Sequence, residues 1–316
     1  MHAVILGAAG MVGRLLAREI ANGALPVSRL TLIDLSAPLS PAGIDASCIA
    51  LDLSDTSTAG RIASLRPDLI FHLAAVVSGE AERDFDKGYA VNLYATEALL
   101  GALRDEGIRP RIVFASSLAV FGPPLPPRIP DSYRTTPASS YGTQKAIAEM
   151  LFADYSRKKF VEAISLRLPT VVVRPGRPNA AASGFFSGII REPLAGLNAN
   201  LPVPESTRVF IGSPLAVVFS LVRAAELSSA KLVGLAPINL PGISVSVEEM
   251  LSSLQDLAGS AVLNLITKEP DPEIARIVNS WPVDIEAERA RRLGFKPNAD
   301  FREILQEHID ELTRGE

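Results

Sequence analysis

The chain has 316 residues, 47% of them hydrophobic, and 31 Lys and Arg against 35 Asp and Glu leave a formal net charge of -4. That length buries a large core in one domain or two coupled ones, and a slightly acidic balance without a basic run argues against nucleic acid as a partner. The single cysteine, Cys48, excludes an intrachain disulfide and a cysteine metal cluster, and His2, His72 and His308 are scattered without ligand spacing, so no metal site is expected. No apolar run approaches the roughly 20 residues of a membrane span. The N-terminus lacks the basic region and cleavage site of a secretory signal. A soluble cytoplasmic protein is expected, with neither membrane nor nucleic acid as partner.

The chain opens with "HAVILGAAGMVGRLLAREIANG". An apolar run of strand length, His2 to Leu6, meets glycines at Gly7, Gly10 and Gly13, and Leu15, Leu16 and Ile20 then recur at helical spacing. The first glycine permits a tight turn, the second lets backbone approach a pyrophosphate, and the third lets helix and strand pack closely. The N–H groups at the helix start, Met11 and Val12 among them, lie at the positive end of the helix dipole and suit a phosphate. A second apolar strand, "RLTLIDL", ends in Asp34, about twenty residues beyond Gly13. A carboxylate there accepts hydrogen bonds from both hydroxyls of an adenosine ribose and repels a 2′-phosphate, and no arginine follows it, so NAD is favoured over NADP.

Strand and helix patterns continue to alternate: "SCIALDL", "STAGRIASL", "DLIFHLAAV", one long helix through "YAVNLYATEALLGALRDEG", then the strand "RIVFASS". Units of this length predict a doubly wound parallel sheet with helices on both faces. Ligands of such sheets sit at the carboxyl ends of the strands. Asp52 with Leu53, Ala74, Ala75 and Ser116 fall at such ends and are cofactor or site candidates. His72 lies inside an apolar run and reads as a core or cofactor-packing residue.

After a proline-rich loop, "PPLPPRIPDSYRTTPASS", comes "SSYGTQK". Tyr141 and Lys145 are four positions apart and share one face of a helix. The set "GAAGMVG", "LDLSD", "HLAAVVS", "VNLYAT", "FASSLAVFG" and "YGTQK", with "DIEAERARRLGFKP" near the C-terminus, resembles the extended branch of the short-chain dehydrogenase/reductase superfamily over nearly the whole chain. The resemblance implies a Rossmann-type cofactor domain, with Tyr141 as proton acceptor and Lys145 as its electrostatic partner and nicotinamide-ribose ligand. By register against Gly122 it implies Ser117 as the hydroxyl that orients substrate, with Ser116 as the alternative. It also implies Asn92 as support for the proton network, and Pro169, Thr170 and Val171 as residues lining the nicotinamide. The chemistry is consistent with these roles: a tyrosine removes a hydroxyl proton only as phenolate, its ordinary pKa is about 10, and an ammonium one turn away lowers that value.

From about Arg174 the sequence becomes irregular and rich in Pro, Gly and Asn. The resemblance implies a smaller, interleaved C-terminal substrate domain there. The expected division is 1–172 for the NAD-binding domain and 173–316 mainly for the substrate domain, with about 208–228 ("SPLAVVFSLVRAAEL") returning to the first. "SVEEMLSSLQDLAG" and "FREILQEHIDELTR" read as amphipathic helices. Arg174, Arg177, Arg191 and Arg208 are cations of a type that binds carboxylate or pyrophosphate. A closer likeness within the branch, carried by "AAVVSGEAERDFDKGYAVNL", "RLPTVVVRPGRPNAAASGFFSGIIREPL" and "SWPVDIEAERARRLGF", implies oxidation of the C2 hydroxyl of a four-carbon sugar acid to a 2-keto acid with NAD as acceptor. Arg174 or Arg191 is then the expected carboxylate anchor and Ser78 a hydroxyl partner of substrate. The alternatives are a nucleotide-sugar epimerase or dehydratase that holds NAD tightly, and a non-catalytic dinucleotide sensor. Members of the branch often pair through helices beside the Tyr–Lys helix, so a homodimer or higher homo-oligomer is expected.

Overall fold

The structure, a computed structural model, describes residues 1–176, 182–228 and 236–313. The first part runs β1 (His2–Leu6), α1 (Met11–Ala21), β2 (Arg29–Asp34), β3 (Ala46–Ala50), α2 (Thr58–Ser64), β4 (Leu69–His72), α3 (Ser78–Arg83) and α4 (Phe85–Tyr89). A π-helical turn (Ala90–Tyr94) then leads into α5 (Ala95–Asp105), followed by β5 (Arg111–Ser117), α6 (Ser140–Arg157) and β6 (Glu162–Leu168). The second part runs β7 (Thr170–Val171), α7 (Gly184–Leu194), β8 (Ala199–Asn200), β9 (Arg208–Gly212), α8 (Pro214–Glu226), β10 (Ile238–Asn239) and β11 (Ile243–Ser246). It ends with α9 (Val247–Ala258), β12 (Ile266–Thr267), α10 (Pro272–Val278), α11 (Glu288–Arg292) and α12 (Phe301–Thr313).

Seven strands form a parallel sheet in the order β10-β6-β5-β4-β1-β2-β3. Every residue of β1 and β4 is buried, as apolar runs covered on both faces must be. The chain steps outward from β1 to β3 and returns to place β4 on the other side of β1. The carboxyl ends of β1 and β4 therefore flank the point where strand order reverses, the place where such sheets open a crevice. Phe114, Phe152, Leu100 and Ile112 are among the core residues that seat α5 and α6 on this sheet.

Three elements depart from the sequence pattern. The single long helix expected over residues 89–107 is α4, a π-helical turn and α5. The third and fourth strands stop at Ala50 and His72, short of the apolar residues that follow them. Asp52, Leu53, Ala74 and Ala75 therefore lie just past their strands, in the loops.

The chain divides into two compact units: 1–120, 137–168 and 218–239 in one, and 121–136, 169–217 and 240–316 in the other. The expected return over 208–228 thus begins ten residues later, inside α8. The reason is β9: it pairs antiparallel with β11 and parallel with β7, which holds residues 208–212 in the second unit. The proline-rich segment as far as Thr136 also belongs to the second unit, where Ile129 bridges to Ile285. The second unit's core gathers Phe186, Ile189 and Ile190 of α7 with Met250 and Leu254 of α9 and Phe301, Ile304 and Leu305 of α12. α9 starts with a reciprocal capping box, Ser246 with Glu249, which satisfies two N–H groups at its first turn. Among the described residues no helix is long and apolar enough to cross a membrane, and no cluster of His, Cys, Asp and Glu is placed to hold a metal ion.

Candidate active site

The β1–α1 turn is shaped by what a side chain would strike. Gly7 has φ +88, and a Cβ on it would lie 2.6 Å from Ala74 N; a Cβ on Gly13 would lie 2.2 Å from Gly7 O. The turn is thereby pressed both against the loop after β4 and against α1. Gly10 caps α1 and has no side chain to accept the first helical N–H groups, so the helix starts without a side-chain cap. Asp34, at the end of β2, accepts the Ala9 N–H at 2.9 Å and the Leu35 N–H at 2.7 Å. Its carboxylate is thus fixed beside the glycine turn. Asp52 is exposed and accepts both the N–H and the hydroxyl of Ser54, at 2.8 and 2.6 Å, while Leu53 packs against the core. An uncapped helix start, a close-packed glycine turn and a fixed carboxylate at the next strand end are a donor set that fits NAD.

α6 carries the second half of the site. Ser139 caps it by accepting the Gly142 N–H at 3.1 Å, and Glu82 of α3 accepts the Ser140 N–H at 2.9 Å. Lys145 is buried; its Nζ donates to Ala115 O at 2.8 Å, stands 4.6 Å above the Phe114 ring and lies 5.6 Å from the ring centroid of half-buried Tyr141. Burial pushes the Lys145 ammonium down to about 7, and Glu149 acts in the opposite sense. His72 is a core residue: burial, then the nearby Lys145, push it down to about 3, so the ring is neutral. Its Nε2 pairs with the Thr96 hydroxyl at 3.1 Å, and its ring stands edge-on to Phe114 and Phe152.

The structure separates the two serines. Successive strand residues point to opposite faces, and Ser116 is buried on the side of α6, where its hydroxyl donates to Glu149 at 2.6 Å. That carboxylate is gripped by Arg167 through two hydrogen bonds of 2.9 and 2.8 Å, and Arg167 reaches Asn239 at 3.2 Å. Ser117 is half-buried at the strand end, and its oxygen accepts the Ala119 N–H at 3.1 Å. The Ser116 hydroxyl is thus engaged in an internal network, whereas Ser117 stands at the strand end.

Asn92 sits in the π-helical turn, 2% exposed, and its amide is also used internally. It accepts the Val76 N–H at 2.8 Å and donates to Val76 O at 3.0 Å and to Gln144 Oε1 at 2.7 Å. These bonds tie the loop after β4, which carries Ala74 and Ala75 and leads into α3 at Ser78, to α6. Three residues of this face carried no sequence signal of their own. A Cβ on Gly142 would lie 2.1 Å from Ala119 O, so its absence lets α6 meet the turn after Ser117. Gln144 and Glu149 are buried polar residues whose burial no spacing rule announces.

The remaining candidates belong to the second unit. A Cβ on Gly212 would lie 3.0 Å from Pro169 Cγ, and Thr170 and Val171 pair with β9. Arg174 donates through Nε to Val171 O at 3.0 Å and through Nη2 to the Ser183 hydroxyl. Arg191 donates to Arg174 O at 2.6 Å and is ion-paired with Glu192. Arg208 is exposed, pairs with Glu249 at 3.3 Å and donates to Ser244 O at 2.9 Å. Arg177 lies outside the described residues.

Comparison with known proteins agrees with this geometry. The description "NAD dependent epimerase/dehydratase family" matches residues 3–208. D-erythronate dehydrogenase of Cupriavidus necator is 44% identical over 98% of this chain and 98% of its own length, and D-erythronate dehydrogenase of Haemophilus influenzae is 43% identical over 98% and 99%. A solved structure described as the nucleoside-diphosphate-sugar epimerase from Agrobacterium tumefaciens is 48% identical, with a TM-score of 0.95 over 100% of this chain and 95% of that one. The glycine turn, the Asp34 carboxylate and the Tyr–Lys face thus stand in a chain that belongs to the NAD-dependent epimerase/dehydratase family and is an NAD-dependent oxidoreductase.

Proposed function

We propose that this protein is a D-erythronate dehydrogenase: it oxidises the C2 hydroxyl of D-erythronate to the 2-keto acid, with Tyr141 as general base. What supports the substrate is the 44% and 43% identity to D-erythronate dehydrogenases over nearly the whole chain, and what supports the base is the placement of Tyr141 beside a buried Lys145 on one face of α6. Bound NAD, held by the Gly7–Gly13 turn and Asp34, would supply the acceptor for the hydride leaving C2. Tyr141 Oη takes the hydroxyl proton, and the electron pair of that O–H bond becomes the second bond of the ketone. The Lys145 ammonium stabilises the phenolate before the transfer, and Ser117 holds the substrate oxygen in line. The substrate carboxylate needs a cation, and Arg174 and Arg191 are the candidate anchors.

Tyr141→Phe tests the mechanism. It leaves NAD affinity within about twofold and lowers NADH formation from D-erythronate by about 10²–10⁴-fold, the ordinary weight of a general base. Turnover near the parent rate would remove Tyr141 from the reaction. The solved relative described as a nucleoside-diphosphate-sugar epimerase favours a second reading, in which the hydride returns to the same substrate. Excess NAD separates the two: net NADH accumulates with a sugar acid only for the dehydrogenase. Self-association belongs to the same proposal, since Phe85, Tyr94 and Met150 expose large apolar side chains on α4, the π-helical turn and α6.

A further inference from the structure

α6 places Tyr141, Lys145 and Glu149 at successive four-residue steps, hence along one face. Lys145 and Glu149 are 2% and 3% exposed, so the charge on each has almost no water to stabilise it. The groups around Lys145 are few in kind. β5 offers the Phe114 ring and Ala115 O, and β4 offers neutral His72; Arg167 of β6 acts through the Glu149 carboxylate that it grips. On α6 itself stand Tyr141 and Glu149. Burial drives Lys145 toward its neutral amine, and the acid that opposes this is Glu149. The Glu149 carboxylate is immobilised from three sides by Ser116 Oγ and two Arg167 nitrogens.

We infer that Glu149 is a positioning residue for the reaction: its clamped carboxylate supplies the negative field that keeps Lys145 an ammonium beside Tyr141. The inference rests on the proposed roles of Tyr141 and Lys145. It also explains why Ser116, one residue from the strand end, faces α6 and not the substrate side: its hydroxyl holds the acid that acts on the lysine. A purely structural clamp, joining α6 to β6, is the competing role for Ser116, Glu149 and Arg167.

The two roles differ in sign. With [13Cε]lysine-labelled protein, the Lys145 resonance is identified by its loss in Lys145→Met and titrated in the whole chain without added ligand. In Glu149→Gln the Lys145 midpoint falls by about one unit, and in Arg167→Met, which leaves the carboxylate uncompensated, it rises by a smaller amount, about a few tenths of a unit, because Glu149 is the acid that acts on Lys145. The alkaline limb of the NADH-forming pH profile moves with the midpoint. Midpoints that stay in place, or that move in the same direction in both variants, overturn the inference. If either single variant fails to fold because it strands a buried charge, Glu149→Gln/Arg167→Met removes both charges. Its midpoint must fall below the parent value, and an unmoved one overturns the inference equally. Midpoints that shift with the stated signs while Tyr141→Phe remains active would instead remove the Tyr141 mechanism and leave the field of Glu149 standing.

Discussion

Replacing Gly142 by alanine puts a Cβ 2.1 Å from Ala119 O, where ordinary contact begins at 3.4 Å. The obstacle is main chain, and Pro137 closes a second side at 3.2 Å, so the misfit of roughly 1.3 Å cannot be taken up by a side-chain rotation. Either the start of α6 or the turn after Ser117 must move. Tyr141 is the neighbouring residue in α6 and Ser117 stands two residues before Ala119, so the displacement falls between the proposed base and the proposed orienting hydroxyl. A misplacement of about 1 Å costs about 10²-fold in rate, while alanine itself gains the helix about 1 kcal/mol over glycine. Gly142→Ala is therefore expected to lower kcat for NADH formation by about 10²-fold. NAD affinity changes little, because the glycine turn at Gly7 to Gly13 is elsewhere in the unit. Initial rates across a D-erythronate series, with NAD affinity by calorimetry, separate these. A variant within about threefold of the parent kcat would show that the approach of α6 to Ala119 does not set the reacting geometry.

Asp34→Ala removes the carboxylate held by Ala9 N and Leu35 N. NAD should weaken by about tenfold, the loss of one charge-assisted contact, while discrimination against NADP relaxes; an unchanged NAD/NADP ratio of kcat/KM would remove Asp34 from the ribose site. Lys145→Met is read through stability. The folded-state lysine is pushed down to about 7 from its ordinary 10.5, so between those values the unfolded chain binds more protons and stability rises with pH. The cost is fully present below about 7 and is lost as pH climbs toward 10.5. The variant should gain most over the parent at pH 6 and less at pH 9, the difference shrinking by about 1.4 kcal/mol for each unit of that window. Urea unfolding at the two values checks this, and a pH-independent gap would mean that Lys145 is not strained by burial.

The parallel sheet was legible because its strands obey one simple rule. β1 and β4 are covered on both faces, so they read as unbroken apolar runs, and the glycines between β1 and α1 announce their turn. The strand ends were less legible for the same reason: "LAAVV" after β4 stays apolar where the chain has already turned toward Asn92. The π-helical turn left no trace, since one extra residue in a helical turn changes hydrogen bonding without changing composition. Segment 208–212 reads as an apolar approach to α8, and only its pairing with β11 and β7 places it in the second unit. Ser116 and Ser117 could not be told apart by pattern, because alternation says they face opposite ways but not which face α6 covers. Glu149 was hidden most completely. Its partners Ser116 and Arg167 lie on two strands, and nothing local marks an acid on a long helix as buried.

Tyr141, Lys145 and Glu149 serve equally an enzyme that releases its reduced cofactor and one that returns the hydride, since each must take a hydroxyl proton. The choice between a sugar acid and a sugar nucleotide must therefore be made by groups that bind the rest of the substrate. A diphosphate spreads its charge over several oxygens and calls for several cations, whereas one carboxylate is satisfied by a single planar guanidinium. In the second unit Arg191 is balanced by Glu192, and Arg208 by Glu249 at the exposed β9–β11 edge. Cations already spent on acids make a poor diphosphate clamp, because binding would have to break each ion pair and strand its carboxylate. The small-acid reading asks for one cation where the diphosphate reading asks for several.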